Sequence, residues 1–290
     1  GGSRVSAWAV RYLKPLGVLV GSTWKEGLRR RLIIVGLLLT VAFLVLYGLG
    51  AYFAFREVGD LTEVRVLAAY QLLSFGIFVC SFLGTMLVIF SAAGVISGDS
   101  ESGLLQPLVA RPLGRWQVLV GKYLGFISLF LAYQVLLSGS VIMLTRLLAD
   151  FSPPQPFQTL AFLALQGMVL LALVSLISSV LAPVPTGIVA FMAFGLSFIG
   201  GVVRQIGMLL SNETAEVIGR IITYLLPSDN LFRMALSGLQ PPSSLLGDIL
   251  GNLGPFGIPV EPTTFSVVYA IVYLAACLGI AVALFARRDL

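Results

Sequence analysis

Histidine is absent from this chain of 290 residues, and cysteine occurs only twice, as Cys80 and Cys277. Without imidazole, histidine-ligated metal sites and catalysis by a histidine base are excluded. Both cysteines lie within apolar runs, where an unpaired thiol packs as a small hydrophobic side chain. Charged residues make up 11% of the chain, against about 25% in a typical soluble domain, and 58% of the residues are apolar. This composition predicts a polytopic membrane protein.

Six apolar runs in the sequence are long enough to cross a hydrocarbon core about 30 Å thick. The predicted fold is therefore all-α, with six transmembrane helices in a single transmembrane domain over residues 1–290. The six predicted spans cover residues 32–55, 69–96, 116–147, 158–181, 186–203 and 263–286.

Basic and aromatic side chains are mixed in the segment before the first span, residues 4–31. Trp8, Tyr12 and Leu16 recur at every fourth position, which places them on one face of a helix. A basic, aromatic and amphipathic helix is typical of the membrane interface, and Pro15 would interrupt it. The sequence therefore predicts an interfacial helix here, with an ordinary basic flank of the first span as the alternative.

The distribution of positive charge predicts the orientation of the spans. Lys and Arg number twelve on the side that carries both termini and six on the other side, whereas the acidic residues divide four to nine. Because cytoplasmic segments carry the excess of basic residues, both termini are predicted to be cytoplasmic. The positive net charge thus reflects topology and does not indicate a nucleic acid partner.

A polar segment separates the second span from the third: ISGDSESGLLQPLVARPLGRWQVLVGKYLG, residues 96–125. In the predicted orientation this segment lies on the cytoplasmic side. The other cytoplasmic connection, Ala-Pro-Val-Pro between the fourth and fifth spans, is too short to present a surface. Apart from the termini and the interfacial helix, a cytoplasmic partner can therefore bind only here.

The same segment resembles the cytoplasmic loop of permease subunits of type V ABC exporters, above all the NosY-like branch. The family pattern reads I-S-G-E-x-E-S-G-T-L-x-x-L-L-A-x-P-x-x-R and continues with G-K-x-L-G. Asp99 stands in place of its first Glu, Leu104 replaces the usual Thr, and Pro107 falls within the expected helix. The positions that match the pattern are Glu101, Ser102, Gly103, Ala110, Pro112, Arg115, Gly121 and Lys122.

The resemblance implies a half-transporter that works with a separate ABC ATPase subunit. Residues 97–115 would form a cytoplasmic coupling helix, and residues 4–31 an N-terminal elbow helix. Two permease copies, as a homodimer, or one copy with a homologous permease, would assemble with two ATPase copies in the cytoplasmic (inner) membrane of a prokaryote. ATP and Mg²⁺ would be bound by the ATPase. The residues assigned to the coupling contact are Asp99, Glu101, Gly103, Arg111, Pro112 and Arg115.

Nucleotide binding by the chain itself is not predicted. Gly121 and Lys122 are similar to the end of a phosphate-binding loop, but Trp116 occupies the position of that loop's first Gly. A phosphate cradle needs the glycine-rich loop before the Lys. We therefore expect no cofactor and no metal on this chain.

Six residues of the spans are candidates for a translocation pathway. In the type V exporter permeases that this chain resembles, spans two and five line the interface between the two halves of the transporter. Gln134 and Gln166 lie at depths within roughly 6 Å of each other at ~1.5 Å per residue, so a hydrogen bond between their helices is the structural alternative. For the remaining candidates the alternative is packing against lipid or the core. The candidates are Ser74, Gln134, Gln166, Phe191, Phe194 and Phe198.

Other functions are weaker interpretations of the sequence. No Asp or Glu lies deep in a span, so a proton or sodium relay has no carrier. An integral membrane enzyme, or a scaffold or anchor subunit of another complex, is the alternative to a permease. The charge-poor spans suit a lipidic or amphipathic substrate, whereas NosY-like relatives are associated with sulfur species for copper sites.

The segment between the fifth and sixth spans, residues 205–262, is predicted to be external. Residues 215–226 and 231–236 are apolar enough to form short helices, and residues 240–262 are rich in Gly and Pro. The string YLLPSDNLFRMAL resembles family members in which short helices pack over the exit of the pathway. A lid, a docking surface for an external accessory protein and plain packing are the alternatives for this segment.

Overall fold

Eight helices make up the part of the chain that the computed structural model describes, residues 21, 31–57, 62–96, 115–240 and 259–287. No strand occurs among these residues. The helices are α1 (Arg31–Glu57), α2 (Thr62–Ile96), α3 (Arg115–Ala149), α4 (Pro156–Ser178), α5 (Pro183–Leu209), α6 (Glu213–Leu225), α7 (Ser228–Ser237) and α8 (Thr264–Arg287).

Six of these helices, α1 to α5 and α8, are long and apolar enough to cross a membrane. This confirms the predicted fold class, an all-α polytopic membrane protein. The short helices α6 and α7 lie between the fifth and sixth spans, where the sequence predicted them. The predicted elbow helix (residues 4–31) and coupling helix (residues 97–115) lie outside the described residues, apart from Gly21, Arg31 and Arg115.

Two spanning helices extend beyond the predicted apolar runs. Helix α2 begins at Thr62, about two turns before the predicted start at position 69, and α5 continues to Leu209 instead of ending at 203. Arg65 and Arg204 ended the apolar runs, but they do not interrupt the backbone hydrogen bonds of a helix. At ~1.5 Å per residue, the 35 residues of α2 extend about 52 Å, so its first turns pass beyond the hydrocarbon core.

Helix α4 lies at the centre of the bundle and packs against α2, α3, α5, α7 and α8. One apolar cluster joins α4 to the helices at one end and includes Leu73, Leu137 and Phe232. A second cluster joins α4 to the helices toward the other end and includes Ile89 and Leu171. Helices α1 and α8 lie at the periphery, where most of their apolar surface is exposed.

Helices α5 and α6 form an antiparallel hairpin with their backbones in contact. A Cβ added to Gly207 would lie 2.5 Å from the backbone nitrogen of Glu216, and one added to Gly219 would lie 2.5 Å from the backbone nitrogen of Arg204. Only glycine permits so close an approach at these two positions. Asn212 caps the first turn of α6, which fixes where the hairpin turns back.

Helix α7 is embedded in the end of the bundle, and eight of its ten residues are buried. Its last turn is attached to the start of α4. Thr159 donates a hydrogen bond through Oγ1 to the carbonyl oxygen of Ala235 at 2.9 Å, and Gln158 donates through Nε2 to Oγ of Ser237 at 3.0 Å. We call this end of the bundle, where α6 and α7 lie, the short-helix end.

Candidate functional site

A narrow crevice lies between α2, α4, α5 and α7 near the short-helix end, and we call it the aromatic crevice. Its free volume is about 10 Å³, which is room for no more than one water molecule. Most of its wall consists of phenylalanine rings. The lining residues are Phe78, Phe82, Phe194, Phe198, Phe232, Ser81, Gln166, Ser228 and Asp229.

Phenylalanine rings are paired along the contact between α2 and α5. The ring centroids of Phe78 and Phe198 lie 5.6 Å apart, and those of Phe82 and Phe194 lie 6.3 Å apart, both within the range of attractive aromatic contacts. Phe90 and Phe191 both line a groove one to two turns further from the short-helix end. We call these six residues the phenylalanine ladder: Phe78 and Phe198, Phe82 and Phe194, and Phe90 and Phe191.

The groove beside Phe90 and Phe191 is open and apolar. It has a volume of about 370 Å³ and lies on the surface between α2 and α5. Val184 and Ile188 are 72% and 55% exposed there, so the groove faces away from the bundle. A surface of this kind suits an apolar ligand or an apolar helix.

The two glutamines predicted as pathway residues bind different partners. Gln166 accepts a hydrogen bond at Oε1 from Oγ of Ser81 at 2.9 Å, which joins α4 to α2 within the crevice. Gln134 donates through Nε2 to Oγ of Ser138, one turn along its own helix, at 3.1 Å. Its Oε1 lies against Gly84, where an added Cβ would be only 2.2 Å away. The alternative of a hydrogen bond between Gln134 and Gln166 is therefore not what the structure shows.

Three of the six candidate pathway residues meet in the aromatic crevice, namely Gln166, Phe194 and Phe198. Phe191 lies in the open groove. Ser74 is buried one turn of α2 before Phe78, and it does not line the crevice.

The candidate coupling residues lie outside the described residues, except that α3 begins at Arg115. Their assignment therefore stays a prediction from the sequence. The residues concerned are Asp99, Glu101, Gly103, Arg111 and Pro112.

A buried ion pair on α7 lies at the wall of the crevice, and both of its members are hydrogen-bonded to α5. Asp229 Oδ2 lies 2.6 Å from Arg233 Nε, and the two side chains are 3% and 6% exposed. Arg233 also donates through Nη1 to Oε1 of Gln205 at 3.2 Å, and the backbone nitrogen of Asp229 donates to Oγ of Ser197 at 3.1 Å. The carboxylate sits directly on Gly201 of α5, where an added Cβ would lie 1.7 Å from Oδ2. Any side chain larger than hydrogen at position 201 would displace the pair.

Burial raises the pKa of Asp229 above its usual value of 3.8, and the neighbouring charge of Arg233 opposes that rise. The carboxylate has lost most of its hydration, so its ionised form depends on Arg233. The sequence contained a signal for this pair, an Asp and an Arg four residues apart in the string PSDNLFRMAL. Such pairs are usually solvated on helix surfaces, and we did not predict this one.

The fold and the candidate site together define a multi-pass membrane protein with an aromatic contact region between two spans. A sequence model of the family described as "ABC-2 family transporter protein" matches residues 19–290. The chain therefore belongs to the ABC-2 family of transporter proteins, as the membrane-spanning permease of an ABC transporter. Such permeases work with an ATPase subunit and are transport components rather than enzymes themselves. A comparison with curated proteins finds no match.

Proposed function

We propose that the chain is the permease half of a type V ABC exporter of the NosY-like branch. The observation that carries this proposal is the loop pattern from Asp99 to Lys122, which resembles that branch in a chain already placed in the ABC-2 family. ATP and Mg²⁺ bind to a separate ATPase, and this chain holds no cofactor. The excess of basic residues supports cytoplasmic termini in a prokaryotic inner membrane.

The exposed surface of α2 and α5 supports a homodimer. The open groove beside Phe90 and Phe191 is apolar and faces away from the bundle, and Val184 and Ile188 extend that apolar surface. Two copies that meet through this surface place their phenylalanine ladders on either side of a shared path. Two ATPase subunits then bind to the two coupling loops.

The phenylalanine ladder supports a pathway for an amphipathic or lipidic substrate. It leads from the open groove to the narrow aromatic crevice, where the hydrogen bond between Ser81 and Gln166 supplies polar groups. Aromatic rings offer large apolar contacts, and the crevice must open before a substrate can pass its free volume of about 10 Å³. Helix α7, held by its ion pair, closes the crevice at the short-helix end.

Ligands that co-purify with the transporter test this pathway. Phe194→Ala and Phe198→Ala each remove an aromatic contact worth about 1.5–3 kcal/mol, so the amount of bound ligand detected by mass spectrometry should fall roughly tenfold or more. The variants should still bind the ATPase. Phe53→Ala is the matched control, because this exposed ring lies on α1 outside the ladder. Equal ligand recovery from all variants would rule out the ladder as the binding region.

A further inference from the structure

A second cavity, with a polar wall, lies at the short-helix end among the last turn of α5, helix α6 and the beginnings of α7 and α8. Its volume is about 140 Å³, so it holds a group much larger than a water molecule. We call it the polar cavity. It is separate from the phenylalanine ladder, and the polar residues that matter for its chemistry are Arg204, Arg220, Thr223, Asn230, Ser266 and Tyr269.

The polar cavity contains positive charge without a matching carboxylate in its wall. Its described lining includes no Asp or Glu. Arg220 is paired with Glu216 on the exposed side of α6, and Asp229 is paired with Arg233. Arg204 lies within electrostatic range of Asp229, whose carboxylate is already bonded to Arg233, and the Nε of Arg204 is buried without a hydrogen-bond partner among the described residues. A buried donor without a partner costs free energy, so this guanidinium is suited to bind an anion.

Neutral donors share the wall of the polar cavity with Arg204. The amide of Asn230 and the hydroxyl of Ser266 form no hydrogen bond with the described part of the chain. The hydroxyls of Thr223 and Tyr269 already donate hydrogen bonds to backbone carbonyl oxygens of α6, so these two residues form part of the cavity wall but do not offer a free donor. A guanidinium fork together with neutral amide and hydroxyl donors matches the several oxygens of a phosphate group.

The position of the polar cavity indicates where such a phosphate lies. The cavity is at the level where the spans α5 and α8 end, near Leu209 and Thr264. The outward side of α6 is apolar, and Val217, Ile218 and Ile221 are exposed on it. A short helix with an apolar outer side lies in the boundary between headgroups and acyl chains. The cavity next to it is thus at the depth of phospholipid phosphates.

We infer that the polar cavity binds a phosphate group, with Arg204 as the principal contact and with Asn230 and Ser266 as neutral donors. The phosphate is that of a membrane phospholipid or of a soluble phosphate ester. This binding site is independent of the direction of transport and of the identity of the transported substrate.

Native mass spectrometry of the full-length chain in detergent tests this inference. The protein is titrated with phosphatidylglycerol, with diacylglycerol, which has the same acyl chains but no phosphate, and with glycerol 3-phosphate. Arg204→Gln removes the charge, and Ser266→Leu fills the cavity from α8 without touching the contact between α5 and α6. Each should weaken phosphatidylglycerol binding about tenfold to a hundredfold, the range for charged hydrogen bonds. Arg146→Gln is the matched control, an exposed arginine at the same end of the bundle.

Binding of phosphatidylglycerol but not of glycerol 3-phosphate assigns the site to lipid, whereas binding of both assigns it to soluble phosphate esters as well. The inference is overturned if diacylglycerol binds as tightly as phosphatidylglycerol. It is also overturned if Ser266→Leu and Arg204→Gln bind like the unmodified protein, or if Arg146→Gln loses as much affinity as they do. Thermal unfolding of each variant checks that it is folded, and Ser266→Leu decides the question should Arg204→Gln fail to fold.

Discussion

At the scale of single residues, one buried ion pair lies at the wall of the aromatic crevice. Asp229 and Arg233 are four residues apart on α7, and both are almost fully buried. Gly201 on α5 provides the space for the carboxylate of Asp229. Gln205, also on α5, accepts a hydrogen bond from the guanidinium of Arg233. Each charge is costly without the other, because removing one partner leaves a buried charge uncompensated.

We expect Asp229→Leu and Arg233→Met, each made alone, to lower the free energy of unfolding by about 3–5 kcal/mol, the usual loss when half of a buried pair is removed. The double variant should recover most of that loss, since two apolar side chains leave no buried charge. Thermal unfolding in detergent measures all three variants.

The exposed pair of Glu216 and Arg220 on α6 is the control for this cycle. It is also an i, i+4 pair, but its side chains are 31% and 51% exposed. Glu216→Gln should change the free energy of unfolding by no more than about 1 kcal/mol. If the two changes at Asp229 and Arg233 are additive in the double variant, the buried pair is not what attaches α7 to α5.

Several residues of the candidate site could be predicted, and others could not. Phe194 and Phe198 were proposed because the resemblance places span five at the pathway, and Gln166 because it is a polar residue within a span; the structure brings the three together, and their role in transport stays a prediction. The ion pair was not predicted, because its burial depends on the close approach of α7 to Gly201, more than 25 residues away in the sequence. Local spacing shows that two charges lie on one helical face, but it does not show what covers that face.

At the scale of helices, hydropathy predicted the existence of every span but not where each span ends. The predicted fifth span stopped before Arg204 and Gln205, yet both residues lie within α5. Arg204 lines the polar cavity, and Gln205 accepts a hydrogen bond from Arg233 of the buried ion pair. The second short helix was predicted on the external side with its packing left open, and in the structure eight of its ten residues are buried in the end of the bundle. Asp229 and Arg233 conceal this burial in the sequence, since they bond to each other and to α5 rather than to water.

The coupling helix predicted over residues 97–115 gives a test at this scale. Glu101 falls in the predicted first turn, where a carboxylate interacts favourably with the helix dipole by ~0.3–1 kcal/mol, and it can pair with a basic residue of the ATPase. Glu101→Lys should leave the permease folded, because the residue lies outside the spans. It should weaken retention of the ATPase in a pull-down, since breaking a desolvated ion pair costs about 3–5 kcal/mol.

Glu213→Lys is the matched control for the coupling test. Glu213 is also an acidic residue in the first turn of a helix, but that helix is α6 at the short-helix end, and the side chain is exposed. This variant should retain the ATPase normally. If Glu101→Lys also retains its ATPase and supports normal transport, then the coupling contact lies in the N-terminal elbow helix or at a terminus.

At the scale of the whole molecule, the proposed orientation separates the coupling loop from the short-helix end by the membrane. Cysteines introduced as Gly103→Cys and Thr214→Cys should react with an impermeant thiol reagent from opposite sides of sealed vesicles. Thr214 is exposed, and the native thiols of Cys80 and Cys277 are buried, which keeps the background labelling low. Labelling of both introduced cysteines from one side would contradict the proposed topology.

The central claim is that this chain is one of two identical permease halves driven by a separate ATPase. The most direct measurement is native mass spectrometry of the chain co-expressed with its partner ABC ATPase. The account predicts a complex of two permease and two ATPase subunits, with ATP hydrolysis present in the complex and absent from the permease alone. A permease that is recovered as a monomer without the ATPase, or that hydrolyses ATP by itself, would contradict the account.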